Sequence, residues 1–153
     1  FRDRQGGVEG ARVSTPVRRA LYGRVAGDTT LNNLLAAPPT GYSKSIYHQE
    51  APGGAQFPFV VFQKQAGTPT ESFGDPDALD TDIWLVKGVD RGTSADTVEA
   101  VEAPLHALLN DATLSISRAT HLYLRRQSDV EYPEVSDGVT YRHAGALYRL
   151  VFT

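Results

Sequence analysis

Four histidines are the side chains in this sequence best suited to acid–base or metal chemistry. They are His48, His106, His121 and His143. None has the spacing of an HExxH or HxH metal site, and no cysteine is present to complete a zinc set. His121 and His143 can meet across a terminal hairpin, which is the one enzyme-like arrangement in the chain. Asp129 or Glu131 would then lie beside them, but a cross-strand polar pair explains these residues equally well. His106 lies off the apolar stripe of a helix and is expected at the surface.

Other catalytic and cofactor-binding motifs are missing from the sequence. It has no GxSxG, no P-loop and no GxGxxG. Four aspartates alternate as in a calcium-binding loop, at Asp75, Asp77, Asp80 and Asp82. Pro76 interrupts them and the loop's glycine and terminal glutamate are absent, which favours a charged loop that leads into the wet face of a strand. We therefore predict a protein that is not an enzyme and has no catalytic, cofactor-binding or metal-binding residues.

Arginine and tyrosine are interleaved in the C-terminal third of the sequence. They are Tyr123, Arg125, Arg126, Tyr132, Tyr141, Arg142, Tyr148 and Arg149. On a sheet these residues suit either base stacking of nucleic acid or a protein–protein interface. Arg125 and Arg126 are adjacent and so point to opposite faces of a strand, and a net charge of −3 provides no general basic field. Both observations favour the protein–protein interface.

The composition is that of one compact domain. The chain has 153 residues, of which 41% are apolar, and domains of this size bury a single core. Residues 1–13 are polar and glycine-rich, so we expect a flexible N-terminal arm followed by one domain over residues 14–153. The lack of cysteine excludes disulfides and thiolate catalysis. No apolar run reaches the roughly 18–20 residues that a membrane-spanning helix needs.

The first half of the domain is predicted to contain two helices and three strands. Thr15–Pro16 suits a helix start, and Gly27–Asp28 ends that helix and caps a second, short one. The strands, identified by their β-branched and aromatic residues, are Ile46–His48, Phe57–Gln65 and Leu79–Val89. Residues 67–77 contain two glycines and two prolines and are predicted to form a long loop.

The second half is predicted to contain one amphipathic helix and two long strands. Asp90–Ser94 caps the helix, and Pro104 inside its apolar pattern predicts a kink or a split. Leu114 and Ile116 indicate a further short strand. A turn at Asp137–Gly138 joins the two long strands, which are His121–Glu131 and Val139–Phe152. The order α-α-β-β-β-α-β-β predicts an α+β fold, a mainly antiparallel β-sheet with helices packed on one face.

Two segments are the candidate contact surfaces of this domain. The final strand is apolar on both faces, and because helices cover only one face, the other needs more chain or a neighbouring subunit. The loop Thr68–Asp77 is expected to contact an axial neighbour, and the final strand to contact another subunit or the helix layer. The predicted interface residues are Thr68, Phe73, Asp75, Asp77, Arg125, Arg142, Tyr148, Leu150 and Phe152.

Five stretches of the sequence, in this order and spacing, carry a family resemblance. They are Ala20–Asp28 (ALYGRVAGD), Ile46–Pro52 (IYHQEAP), Phe57–Phe62 (FPFVVF), Leu85–Gly88 (LVKG) and Tyr141–Val151 (YRHAGALYRLV). With them the chain resembles the tail terminator, or tail completion, proteins of long-tailed bacteriophages, which also occur in prophages and gene transfer agents. The resemblance spans nearly everything from about residue 14 onward, and it brings no catalytic motif.

The resemblance implies a structural virion protein that works by assembly. Such proteins form a homo-oligomeric ring, commonly a hexamer, on the head-proximal end of the tail tube, after assembly in the host cytoplasm. The ring stops tube polymerisation and binds the tail tube protein on one side and a head completion or connector protein on the other. DNA passes through the lumen without specific binding. A head–tail joining protein, a tube protein and a nucleic-acid-binding sheet protein stay open as alternatives.

Overall fold

The computed structural model describes residues 15–72 and 74–153, and these form an α+β fold with the predicted element order. The helices are α1 (residues 15–26), α2 (Thr29–Leu34) and α3 (Asp96–Leu109). The strands are β1 (Ile46–His48), β2 (Phe59–Ser72), β3 (Asp75–Arg91), β4 (His121–Ser136) and β5 (Val139–Phe152). None of the helices in the described part of the chain is long and apolar enough to cross a bilayer.

The five strands form one sheet in the order β1-β2-β3-β5-β4. β1 pairs with β2 in parallel, and every other pairing is antiparallel. The predicted turn at Asp137–Gly138 is confirmed, because Ser136 pairs with Val139 and both turn residues have positive φ, at 51° and 75°. A two-residue turn of this kind matches the twist of the strands that it joins.

The helices cover one face of the sheet and enclose the main core. α1 contributes Val17, Leu21 and Val25 to a cluster that includes Trp84 and Leu150 of the sheet. The members from α3 are Val101, Leu105 and Leu109. The predicted cap at the start of α2 is confirmed, since the Leu31 N–H donates to the Asp28 carboxylate at 2.8 Å. We call the covered side the helix face and the other side the open face.

The predicted loop over residues 67–77 is wrong. β2 and β3 continue as a hairpin to its tip, where Ser72 pairs with Asp75. β5 ends opposite Asp80, so the outer part of this hairpin has only two strands. Pro69 is tolerated there because it lies in an edge strand, where alternate backbone N–H groups need no partner.

The expected split of the helix at Pro104 is wrong, since α3 runs unbroken from Asp96 to Leu109 with Pro104 inside it, whereas a kink there stays a prediction. The short strand expected at Leu114 and Ile116 is also wrong. Both side chains are buried in the main core from the connection between α3 and β4, because apolar residues can fill a core without joining a hydrogen-bonded ladder.

Candidate functional site

The histidine pair that would have formed an enzyme-like site does not exist in this fold. His143 pairs with Tyr132, whereas His121 lies opposite Phe152, nine residues further along β5. At about 3.4 Å per residue this separates the two rings by about 30 Å. The prediction that they meet is therefore wrong, and the reason is register, which places them at opposite ends of the β4–β5 hairpin.

His143 instead belongs to a polar cluster on the open face. Its Nε2 lies 2.9 Å from Oε1 of Glu134, and its ring stacks on Tyr132 with a centroid distance of 4.5 Å. The Lys87 Nζ donates to the Tyr132 hydroxyl at 2.7 Å. Burial lowers the pKa of His143, and so does Lys87, against the opposing effect of Glu134. The cluster thus joins side chains of β3, β4 and β5 on the open face.

In the described part of the chain, no set of side chains is arranged to bind a metal ion. Among the residues whose side chains the structure describes, which exclude 1–14, 71–73 and 75–78, no group of three or more His, Cys, Asp or Glu side chains lies close enough to hold an ion. Asp82 is used structurally, since it pairs with Lys64 at 3.4 Å and accepts a hydrogen bond from the Trp84 indole at 3.3 Å.

Three of the predicted interface residues in β5 lie in the main core. Tyr148, Leu150 and Phe152 point to the helix face and are buried there at 3% exposure or less. They therefore contact the helix layer, which was one of the two partners expected for this strand. Burial raises the pKa of Tyr148 to about 12.

The predicted interface arginines have different surroundings. Arg125 is exposed on the open face, opposite Arg149, and its Nε donates to Asp111 at 3.1 Å. Arg126 points to the helix face, where it binds Glu102, so the expected opposite directions of the adjacent arginines hold. Arg142 donates to backbone carbonyls of the β3–α3 connection, 3.1 Å from the Thr93 oxygen, and so braces that connection.

The remaining predicted residues lie on the β2–β3 hairpin. Thr68 is exposed and pairs with Thr81. Phe73 lies outside the described residues. Asp75 and Asp77 lie at the beginning of β3, and their side chains are likewise outside the described part.

Among the described residues, the chain covers one end of the open face. The chain after β1 folds over Tyr47, Phe59, Val61 and Val89 and makes a second, small apolar cluster. At the other end Leu147 is partly exposed and Arg149 is exposed, whereas Val151 is buried. The expectation that the second face of β5 needs additional cover therefore applies to this half of the sheet.

A cleft between α1 and the edge of β1 was missed by sequence reasoning. It has a volume of about 370 Å³, and the polar side chains that line it include those of Arg18, Arg19, His48 and Glu50. Burial lowers the pKa of His48, and Arg18 lowers it further. The adjacent arginines on α1 were the available signal, but only the packing of α1 beside β1 brings them to the sheet edge.

Comparison with known proteins shows that this chain is similar in structure to chains of solved structures. No family model and no curated protein matches the chain. A chain in the solved structure of the virion of a native gene transfer agent (GTA) particle aligns with a TM-score of 0.69 at 16% identity, covering 92% of this chain and 96% of that one. A second solved structure aligns with a TM-score of 0.51 at 16% identity, over 91% of this chain and 93% of its own. At such low identity these likenesses show that the fold is shared.

Proposed function

We propose that this chain is a structural virion protein whose copies form a ring at the head-proximal end of a phage-like tail. The ring stops tube polymerisation and joins the tail to the head. One observation carries the proposal: the fold matches a chain of a gene transfer agent virion over 92% of this chain and 96% of that one. A match that is nearly complete in both directions relates whole subunits rather than a shared motif.

The placement of polar residues supports assembly rather than catalysis. The histidines lie on four different elements, with His106 on α3 and the others on separate strands, and His143 is held by Glu134 and Tyr132 in a structural cluster. Among the described residues, exposed surface lies along the outer part of β2, at residues 64–70, and on the open face at Arg125 and Arg149. Surfaces of this kind are buried when subunits associate.

A ring also fits the charge of the chain. A net charge of −3 gives little attraction for phosphates, so DNA can pass through a lumen lined by such subunits without being held. In the proposed assembly one side of the ring binds the tail tube protein and the other side binds a head completion protein.

The proposal is tested by adding the purified protein to tail tubes that are still elongating. We expect tube growth to stop, and mass photometry to show a discrete oligomer rather than a range of sizes. Self-polymerisation into tubes would identify a tube protein instead. A protein that stays monomeric and leaves tube growth unchanged would contradict the proposal.

A nucleic-acid-binding function is favoured by one feature, the exposed Arg125 and Arg149 pair beside Tyr123 on the open face. Their guanidinium groups and ring suit phosphate contact and base stacking. This alternative predicts micromolar or tighter binding to single-stranded DNA that weakens steeply with salt. Absence of binding at low salt would remove it.

A further inference from the structure

β4, the last strand of the sheet, has exposed apolar side chains at both of its ends. Leu122 and Tyr123 are exposed at its start, and Tyr132 and Val135 are exposed toward its end, where Val135 reaches 72%. Four of the six exposed large apolar side chains among the described residues therefore lie on this one strand. Exposed apolar surface of this kind marks places where a protein contacts another protein.

The start of β4 also carries a basic pocket on the open face. The pocket has a volume of about 270 Å³, and Tyr123, Arg125, Gln127 and Arg149 are among the residues that line it. Arg125 and Arg149 lie directly opposite each other on β4 and β5. Like charges in that position destabilise a sheet, and an anion bound between them relieves the repulsion. We call this site the arginine pocket.

Both guanidinium groups of the arginine pocket are held in place through their Nε atoms. Nε of Arg125 donates to Asp111, and Nε of Arg149 donates to the side-chain oxygen of Gln127, each at 3.1 Å. A bulge in β4 at Gln127 brings that side chain to Arg149. The terminal nitrogens of the two groups form no hydrogen bond or ion pair with another described residue. They are therefore oriented and available to bind an oxyanion in a forked geometry.

The charges around the arginine pocket suit a protein carboxylate better than a polyanion. Asp111 lies against Arg125, and two further acidic side chains, Glu102 and Asp129, bind the adjacent Arg126. These carboxylates repel a phosphate backbone, which carries one negative charge for each nucleotide. A single carboxylate meets less repulsion and can accept from both guanidinium groups.

The other end of β4 is acidic. Residues 131–137, which we call the acidic tip, include Glu131, Glu134 and Asp137 and no lysine or arginine, and all seven residues are exposed. Arg125 and Glu134 are separated by about 30 Å along the strand, so the acidic tip does not reach the arginine pocket of its own chain. The two ends of β4 are thus complementary in charge, and each has exposed apolar side chains beside its charged groups.

We propose that the acidic tip of one copy of this chain binds in the arginine pocket of a second copy. A carboxylate of the tip lies between Arg125 and Arg149, and the apolar side chains of the two ends pack together. The contact joins two different surfaces, and repeating it closes a ring when the rotation between copies permits. This inference rests on the proposed function, since it names the subunit contact of that ring.

Native mass spectrometry of two double variants tests the contact. Arg125→Glu/Arg149→Glu removes the arginine pocket and leaves the tip intact. Glu131→Gln/Asp137→Asn weakens the acidic tip and leaves the pocket intact, and asparagine tolerates the positive φ of residue 137. We expect each double variant alone to dissociate to monomers where the wild type is assembled. An equimolar mixture contains one intact tip and one intact pocket in each pair, so we expect a 1:1 heterodimer that grows no further.

Two control variants carry the same changes in charge outside the tip and the pocket. Arg19→Glu/Lys44→Glu matches the pocket variant, and Glu50→Gln/Asp96→Asn matches the tip variant, each at exposed residues. Both controls should assemble like the wild type. Circular dichroism and urea unfolding of every variant establish that it is folded.

The inference is overturned if the two double variants assemble like the wild type, or if their mixture stays monomeric. A wild-type protein that is monomeric at every concentration overturns it as well. Fluorescence anisotropy with labelled single-stranded DNA tests the other class of occupant. We expect no binding at low salt that depends on the arginine pocket. Micromolar binding that is lost in Arg125→Glu/Arg149→Glu would assign the pocket to nucleic acid and overturn the contact between copies.

The contact between copies and the tail function can fail separately. A heterodimer of the two double variants, together with a wild type that has no effect on tail tubes, would retain the contact and reject the tail function. Tubes that are capped equally well by the wild type and by both double variants would retain the function and overturn the contact.

Discussion

At the scale of single residues, His143 illustrates how this fold uses a group that sequence reasoning treats as potentially catalytic. Its ring is 7% exposed and lies between Glu134 and Tyr132. The sequence indicated correctly that His143 lies on the last strand, but register decides its neighbours, and register depends on where the turn and the bulges of β4 fall. Without the register, the sequence does not show whether His121 or Tyr132 lies opposite His143.

Acidification should destabilise the protein before its carboxylates titrate. The pKa of His143 is lowered in the folded state, chiefly by burial, and the pKa values of His48 and His121 are lowered as well. The unfolded chain then binds more protons between these lowered values and about 6.5, so stability is complete above that range and is lost as the pH falls through it.

Urea unfolding between pH 7.5 and 5.5 measures this effect. We expect the midpoint to fall with pH, and His143→Gln, which keeps a side chain able to hydrogen-bond Glu134, to show a smaller fall. A midpoint that rises on acidification would contradict the direction of these pKa shifts.

Gly145 is a residue whose identity is dictated by the close approach of β3. A Cβ added there would lie 2.1 Å from the Val86 oxygen and 2.4 Å from the Cα of Lys87, both backbone atoms that cannot move aside alone. We expect Gly145→Ala to reduce the free energy of unfolding by about 3 kcal/mol. Gly53→Ala, where a Cβ meets nothing within 4 Å, is the control and should change it little. Equal stability of the two variants would show that the strands can separate at this point.

At the scale of elements, the predictions that depend on only a few neighbouring residues are confirmed. The Asp28 cap and the Asp137–Gly138 turn were predictable because a short side chain or a positive φ fixes them within a few residues. The hairpin over residues 67–77 was not, since its prolines and glycines read as loop unless the strand is known to lie at an edge. The split expected at Pro104 was also wrong, because tertiary packing of α3 outweighs one missing backbone hydrogen bond.

The α1–α2 junction offers a test at this scale. Asp28 accepts the Leu31 N–H, and the Asn32 side-chain amide donates to the carbonyl of Ala26 in α1 at 3.1 Å, so hydrogen bonds join the two helices at this junction. We expect Asp28→Ala to reduce the free energy of unfolding by about 1 kcal/mol, measured by urea titration. Asp28→Asn retains an accepting oxygen and should lose much less. If both substitutions have the same effect, the capping hydrogen bond is not the source of the stability.

At the scale of the whole molecule, the sequence predicted that β5 needs cover on both faces. In the structure this cover differs between the two faces and along the second face. Among the described residues, the helices bury one face, the chain after β1 covers one end of the other, and Leu147 and Arg149 at the opposite end stay partly or fully exposed. The sequence did not reveal the cleft beside β1, because its arginines and His48 belong to different elements that only the packing of α1 brings together.

The most direct test of an assembly function is to locate the protein on the particle. Electron microscopy of tails that carry a labelled copy of this chain should show the label as a ring at one end of each tube, the end that binds heads. Label distributed along the tube, or confined to the opposite end, would contradict the proposed role.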